Sequence, residues 1–278
     1  MNWNNQLIEN IIARGIDEDI WTGDITSESL IPAETLGNAQ ILMKEKGILA
    51  GLSLAERIFY QFTDEIFFEA QADDGDLIEK GQIIAEIKGP VREILKAERI
   101  VLNFLQRLSG IATRTNQYVQ AVKDYDLKIV DTRKTTPTLR ILEKYAVRMG
   151  GGYNHRMGLY DAVMIKDNHI FAAGGITMAV NKVREQVPHT IKIEVEVEDL
   201  KGVEEALNAG ADIIMLDNMD SSEMTKAVEI IDKRAIVEAS GGITFKDLEE
   251  VAATGVDIIS VGALTHNIKA LDISLNLV

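Results

Sequence analysis

Short apolar runs rich in Val and Ile recur from about Val130 onward: KIVDT, AVMIKD, IKIEVEVE, IIMLDN, AIVEASGG and IISVGAL. Between them lie segments such as KGVEEALNAG and TFKDLEEVAATG, where apolar residues fall three and four apart. Strand followed by helix, several times over, is how a parallel sheet covered by helices reads. This region spans about 150 residues, short for a closed eight-stranded barrel of about 250. The pattern therefore predicts an α/β fold with an open or incomplete β/α barrel.

Residues 1–110 alternate less regularly and predict an N-terminal α/β domain, an α+β sandwich. Residues 111–278 predict the barrel domain, with the tail from about 268 to 278 packing back on the first. Between Arg92 and Tyr118, EILKAERIVLNFLQRLSGIATRTNQY keeps helical spacing and predicts a long helix joining the two. AQADDGDLIEKGQIIAEIKG, residues 70–89, reads as a hairpin because its DG and KG pairs are turn signals between alternating strands. It looks like half of a lipoyl or biotinyl carrier domain. No second hairpin presenting a lysine follows, which argues against a carrier.

Charge sharpens the picture. The chain of 278 residues has 29 Lys and Arg against 44 Asp and Glu, a net −15. Residues 131–169 reverse that sign: Arg133, Lys134, Arg140, Lys144, Arg148, Arg156 and Lys166 face only Asp131, Glu143, Asp161 and Asp167. A basic island in an acidic chain suits a small anion, whereas a nucleic acid needs an extended basic face. No cysteine is present, which excludes disulfides, thiolate nucleophiles and Cys-based zinc sites. No apolar run approaches the roughly 18 residues of a membrane helix, and MNWNNQLIENIIARG lacks the features of a secretory leader. The expectation is a cytoplasmic protein that engages neither membrane nor nucleic acid.

In a β/α barrel the carboxyl ends of the strands converge on one rim, where function sits. Here those ends carry Asp131, Arg133 and Lys134; Lys166, Asp167 and His169; Glu196; Asp217; Ser240, Gly241 and Gly242; and Gly262 and Ala263. The glycines of SGG and VGAL fall where a strand turns into a helix, so their amides are placed to approach an anion. IKIEVEVE alternates: Ile191, Ile193, Val195 and Val197 share one face, and Lys192, Glu194, Glu196 and Glu198 the other. Glu196 with Asp217 could meet a sugar diol or a magnesium ion that keeps most of its waters. A solvated edge strand is the plainer reading of the same pattern. His155 and His169 lack the spacing of a helical zinc pair and suit hydrogen bonding to a ligand or bracing of a loop. Arg140, Lys144 and Arg148 fall at helical spacing before Gly150, Gly151 and Gly152, as either a site or a solvated helix face.

These residues resemble the quinolinate phosphoribosyltransferase family, also called nicotinate-nucleotide pyrophosphorylase (carboxylating). The resemblance rests on GDIT at residues 23–26, AERIVLNFLQRLSGIAT from Ala97, the whole of residues 131–169, IEVEVE from Ile193, MLDN from Met215, EASGGI from Glu238 and VGALTH from Val261. It spans essentially the whole chain in order. It implies an enzyme of NAD biosynthesis that joins quinolinate to phosphoribosyl pyrophosphate with loss of CO2. By resemblance, Arg133, Lys134, Arg156 and Lys166 would bind quinolinate, with Thr132 and His155 close by and Arg99 reaching in from a neighbouring subunit. Glu196 and Asp217 would serve the phosphoribose and its Mg2+, held through water. Ser240, Gly241, Gly242, Gly262, Ala263 and Leu264 would serve the phosphate, and Lys134, Lys166, Glu196 and Asp217 the catalysis. A homo-oligomer, dimer or hexamer, with sites shared between subunits, and no organic cofactor are implied as well. Thr138 stands where glycine is common in the family and Met149 where small residues or cysteine are; neither carries a role.

Three other readings remain in view. One is a related phosphoribosyltransferase-like protein of molybdenum utilisation. Another is a Schiff-base aldolase using Lys166, and the third a non-catalytic anion-binding protein.

Overall fold

A computed structural model of the chain describes Trp3 and residues 5–278. Two compact units emerge: Met1–Asn116 with Thr135–Gly151 and Asn267–Val278, and Gln117–Lys134 with Gly152–His266. Among the described residues no helix is long and apolar enough to cross a membrane.

The first unit opens with helices α1 (Gln6–Asp19) and α2 (Ile25–Leu30), then strands β1 (Leu36–Met43) and β2 (Gly47–Ile48). Helix α3 (Leu52–Tyr60), strands β3 (Phe67–Ala70), β4 (Leu77–Ile78) and β5 (Ile83–Pro90), and the long helix α4 (Val91–Ala121) follow. At 1.5 Å per residue, α4 runs roughly 46 Å. Its apolar stripe, Ile94, Ala97, Val101, Leu105 and Leu108, is buried. The sheet order is β12-β1-β5-β3, where β12 (Ile273–Leu277) is the last strand of the chain and runs antiparallel to β1.

The hairpin expected over residues 70–89 does not form as one. The short β4 leaves to pair with β2, and β5 pairs instead with β1 and β3. The DG and KG turns exist, with Gly75 at φ 101 and Gly81 at φ 86, but they lie on either side of a strand that belongs to another sheet. Turn chemistry is local, whereas pairing is decided by which apolar face each strand must cover.

Helix α5 (Arg140–Met149) clusters with this first unit rather than with the barrel that surrounds it in sequence. Three contacts explain why. Arg107 donates to Glu143 Oε1 from Nε at 3.0 Å and from Nη2 at 2.6 Å. Tyr145 donates to Asp74 at 2.6 Å. Gly150 lies directly on the Ala112 carbonyl and Thr115 of α4, where any side chain would collide. Lys144, expected as part of a site or of a solvated helix face, is 1% exposed, so that face is buried at its centre, while Arg148 remains exposed.

The second unit is the β/α part. Its strands are β6 (Lys128–Val130), β7 (Val163–Ile165), β8 (Ile193–Val197), β9 (Ile213–Asp217), β10 (Ile236–Ser240) and β11 (Ile258–Ser260). Helices α6 (Asp167–Ala173), α7 (Ile176–Gln186), α8 (Leu200–Asn208), α9 (Ser221–Ile231), α10 (Leu248–Ala253) and α11 (Ala263–His266) alternate with them. All neighbours are parallel, in the order β6-β11-β10-β9-β8-β7. β6 and β7 close no ladder, so the barrel is open. Val195, Val197, Ile214, Leu216, Val237, Ala239 and Ile259 are buried on one face beneath the helices. Asp199 caps α8 through the Gly202 amide and Asp220 caps α9 through the Glu223 amide. Such caps are each worth about 1 kcal/mol.

Candidate active site

Parallel pairing delivers every strand's carboxyl end to one edge of the sheet. Register then decides which side chains share a face. Ile165 pairs with Val195, so Lys166 lies level with Glu196; Glu196 pairs with Met215 and Met215 with Glu238; Asp217, two residues on, pairs with Ser240. Lys166, Glu194, Glu196, Asp217, Glu238 and Ser240 thus share the face opposite the helix-covered one. Glu194 and Glu238 are buried there, which corrects the solvated-edge reading of IKIEVEVE: its polar side is interior.

Lys166 Nζ and Glu196 form an ion pair. The loop that follows β7 is braced as one of the two expectations for His169 had it: the Lys166 amide donates to His169 Nδ1 at 3.0 Å, and the His169 amide to the Lys166 carbonyl at 2.8 Å. At the other end of the sheet, Tyr153 adds a one-residue parallel bridge to Val130. That bridge returns the chain to β6 after its excursion through the first unit and sets residues 154–156 beside residues 131–133. Arg133 and Arg156 are close enough for burial and the neighbouring Arg133 charge together to lower the Arg156 guanidinium from its ordinary range. The Glu194 and Asp161 charges act in the opposite direction, and a bound anion would add to them.

Lys134 lies against the turn after β11. Its carbonyl accepts from Thr265 Oγ1 at 2.8 Å, its amide donates to Thr132 Oγ1 at 3.0 Å, and a side chain at Gly262 would meet Lys134 Cδ at 3.0 Å. Ala263 opens α11. Leu264 is fully buried, so it offers a ligand no side chain. The SGG turn departs from expectation: five residues separate Gly242 from α10, so no helix begins there. Gly241 instead adopts φ 87 and Gly242 φ 60, and Gly241 packs on the side chain and amide of Asn218, itself left-handed at φ 56. Asn218 donates from its side chain to Asp217 Oδ2 at 2.8 Å, and its amide donates to the Ser240 carbonyl at 3.1 Å, which ties the ends of β9 and β10 together. Arg99 is exposed on α4 in the first unit.

Three residues that sequence reasoning left without a role join this site: Asn218, Glu238 and Asn154. Glu238 carried a signal, an acid in the middle of an otherwise apolar strand. It and Glu194 meet His155, whose Nε2 is 3.2 Å from Glu194 Oε2 and 3.5 Å from Glu238 Oε1. Burial alone would push the imidazole down, but the hydrogen bonds to Glu194 and Glu238 outweigh it and raise it to about 10. Burial, with the Glu238 charge, also raises Glu194 against the lowering effect of His155. The Arg156 amide, 2.7 Å from Nδ1, needs a lone pair there, which assigns the ring proton to Nε2. His155 and the two carboxylates are in direct contact, so the group titrates as one unit.

A pH dependence of stability follows. Folding raises the proton affinity of the cluster, so its contribution is complete below pH 6.5, the ordinary histidine value, and is lost as pH rises towards about 10. Thermal melting between pH 7 and 9.5 is expected to reveal a loss on the order of 2 kcal/mol. Two further charged residues touch His155: the Arg156 amide donates to the ring, and Asp131 accepts from the His155 amide. A double Glu194→Gln, Glu238→Gln variant should flatten the curve; an equally steep curve would place the titration elsewhere.

Fold and site together define an α/β-barrel protein that gathers cations, carboxylates and glycine turns along one rim of its strands. Comparison with known proteins gives this class a family. The model of the quinolinate phosphoribosyl transferase C-terminal domain matches residues 111–276, and that of its N-terminal domain residues 24–109. A probable nicotinate-nucleotide pyrophosphorylase (carboxylating) of Bacillus subtilis is 48% identical over 259 residues, covering 93% of this chain and 89% of that one. Its counterpart in Synechocystis is 44% identical over 275 residues, covering 98% and 93%. The crystal structure of NadC from Streptococcus pyogenes superposes with a TM-score of 0.94 at 43% identity, covering 98% and 96%. The chain belongs to the quinolinate phosphoribosyltransferase family.

Proposed function

We propose that this chain transfers the phosphoribosyl group of phosphoribosyl pyrophosphate to quinolinate, releasing pyrophosphate and CO2 and yielding nicotinate mononucleotide for NAD biosynthesis. The observation that carries the reading is the basic rim: Arg133 near Arg156, with Lys134 and Lys166 following the two edge strands β6 and β7 of an otherwise acidic chain, in a member of this family.

Quinolinate is a dicarboxylate. Arg133, Lys134, Arg156 and Lys166, with Thr132 and His155 adjacent, would give it charge-assisted hydrogen bonds and aim its ring nitrogen at the ribose. Glu196 and Asp217 would receive the ribose. Ser240, Gly241, Gly242, Gly262, Ala263 and the backbone of Leu264 would receive the phosphate, through amides in left-handed or helix-opening turns. The nitrogen forms a bond to the anomeric carbon as the bond to pyrophosphate breaks, through a transition state with oxocarbenium character that nearby carboxylates stabilise. Holding both reactants in line is worth about 7–11 kcal/mol. When CO2 departs, the electron pair stays on the ring carbon, stabilised by the adjacent cationic nitrogen, and that carbon then takes a proton.

Mg2+ suits the oxygen donors of Asp217 and Glu196, with water completing its shell, and would neutralise charge on the leaving pyrophosphate. Glu196 is already paired with Lys166, which favours Asp217 as the nearer carboxylate. No organic cofactor is invoked. That same ion pair weighs against an aldolase, since a Schiff-base lysine needs a desolvated amine. The net charge of −15 supports a protein that binds neither nucleic acid nor anionic membrane, and a cytoplasmic setting is proposed with it.

We further infer a homo-oligomer, dimer or hexamer, in which the partner subunit's Arg99 completes each quinolinate site. Exposure of Arg99, and of Trp21, Ile25, Leu30 and Leu36 in the same unit, supports the inference. Arg99→Ala and Lys134→Ala chains, each inactive alone, should recover up to about a quarter of wild-type activity when mixed, as random pairing in a dimer predicts. Absence of rescue would mean that each chain uses its own Arg99.

The deciding assay supplies quinolinate, phosphoribosyl pyrophosphate and Mg2+ and follows CO2 and nicotinate mononucleotide. Release of both, abolished by chelation, is expected. Quinolinate binding without turnover would indicate an anion-binding protein, and an adduct trapped by borohydride an aldolase.

A further inference from the structure

Three buried acids lie beneath the cations of the quinolinate site, where a dianion would be expected to exclude them. Asp131 is fully buried, Glu238 is 1% exposed and Glu194 3%. None contributes to the substrate contacts assigned above. All three converge on residues 154–156. Asp131 Oδ1 accepts from the His155 amide at 2.9 Å, and Oδ2 from Asn154 Nδ2 at 2.6 Å. Glu194 and Glu238 hold the His155 ring from its Nε2 side, and its Nδ1 accepts from the Arg156 amide. The backbone before Arg156 is therefore gripped from two directions, while its guanidinium donates to the Ala162 carbonyl at 3.4 Å and to Met164 Sδ at 3.5 Å and feels the Glu194 and Asp161 charges. A rigid base carries a guanidinium whose hydrogen bonds go to a carbonyl and a thioether rather than to a carboxylate.

The arrangement has a cost. Glu194 Oε1 is buried without a hydrogen-bond partner, and Glu238 Oε1 has only the 3.5 Å ion-pair contact with His155 Nε2. Buried acceptors of that kind are rare in native proteins and persist where a site uses them. A bound cation does not account for them. His155, Glu194 and Glu238 do present ligand atoms within 4.8 Å of one another. A metal would need the Nε2 lone pair, however, and a neutral imidazole has only one, which the Arg156 amide occupies at Nδ1.

We propose that Asp131, Glu194 and Glu238 are positioning residues for the dicarboxylate site, locking residues 154–156 so that Arg156 meets a substrate carboxylate without reorganisation. The inference rests on quinolinate as substrate. Its test exploits a difference in sign: if these acids did nothing but repel the dianion, removing one would tighten binding.

Glu194→Leu in the full-length protein is expected to weaken quinolinate binding at least tenfold while leaving phosphoribosyl pyrophosphate binding within about twofold. Glu194→Gln keeps an acceptor for Nε2–H and should restore most of the loss. Hydrogen exchange supplies a readout free of substrate: the His155 and Arg156 amides should exchange at least tenfold faster in Glu194→Leu than in wild type. Should Glu194→Leu fail to fold, Glu238→Leu, at the looser 3.5 Å contact, takes its place in both measurements. Unchanged or tighter quinolinate binding, or unchanged amide exchange, overturns the proposal. If wild-type protein binds no quinolinate, the functional reading fails, and amide exchange alone decides whether the acids lock the loop.

Discussion

Replacing Arg156 by alanine is expected to weaken quinolinate binding about a hundredfold to a thousandfold, the loss of a charged partner from a desolvated pair costing roughly 2–5 kcal/mol. Phosphoribosyl pyrophosphate binding should stay within about threefold, because its proposed contacts lie on other strand ends. The physical reason is the pairing of Arg156 with Arg133. Burial and the Arg133 charge both act against the Arg156 guanidinium, and the Glu194 and Asp161 charges act in the opposite direction. A dicarboxylate turns the repulsion from Arg133 into two favourable interactions, and a site with one arginine cannot hold both carboxylates in the same way. Calorimetric titration with each substrate separately would measure the effect. Equal losses for the two ligands would contradict the assignment of Arg156 to quinolinate.

Arg107→Ala is expected to destabilise the protein by about 3–5 kcal/mol, the cost of leaving a buried carboxylate without its cation. Glu143 is wholly inaccessible, and its Oε1 accepts from two Arg107 nitrogens. Its Oε2 accepts from the Thr136 amide at 3.1 Å, and Arg107 also donates to Thr136 Oγ1 at 2.6 Å. Loss of the guanidinium thus removes the counter-charge from a group that water cannot reach. Melting should fall by roughly 10 °C for a chain of this size. Adding Glu143→Leu should recover much of the loss, since a buried pair replaced by apolar residues is often near neutral. A double variant no more stable than Arg107→Ala would show that the damage lies in packing rather than in the stranded charge.

The elements that were legible in the sequence share one property: their signal is local. The runs KIVDT, AVMIKD, IKIEVEVE, IIMLDN, AIVEASGG and IISVGAL each contain a strand, because a strand buried in a parallel sheet must be apolar over several consecutive or alternating positions. The helix from Arg92 to Tyr118 lies within α4 for the same reason of periodicity. The hairpin over residues 70–89 failed because turn residues mark where the chain bends, not which strand it bends towards. The solvated-face alternative for Lys144 failed because helical spacing of three cations says nothing about what the helix packs against, and α5 buries that side chain in the first unit.

The sequence by itself determined the class of fold, the cation-rich stretch and the family, since each is written in consecutive residues whose order the chain cannot alter. It also placed Lys166, Glu196, Asp217 and Ser240 at strand ends. Only the tertiary structure decided that register sets those four on one face, that Arg133 lies beside Arg156, and that Glu194 and Glu238 close on His155. The physical reason is that a carboxylate looks the same in sequence whether water or a histidine surrounds it. Its burial and its partners come from strands separated by tens of residues, and parallel pairing alone brings them together.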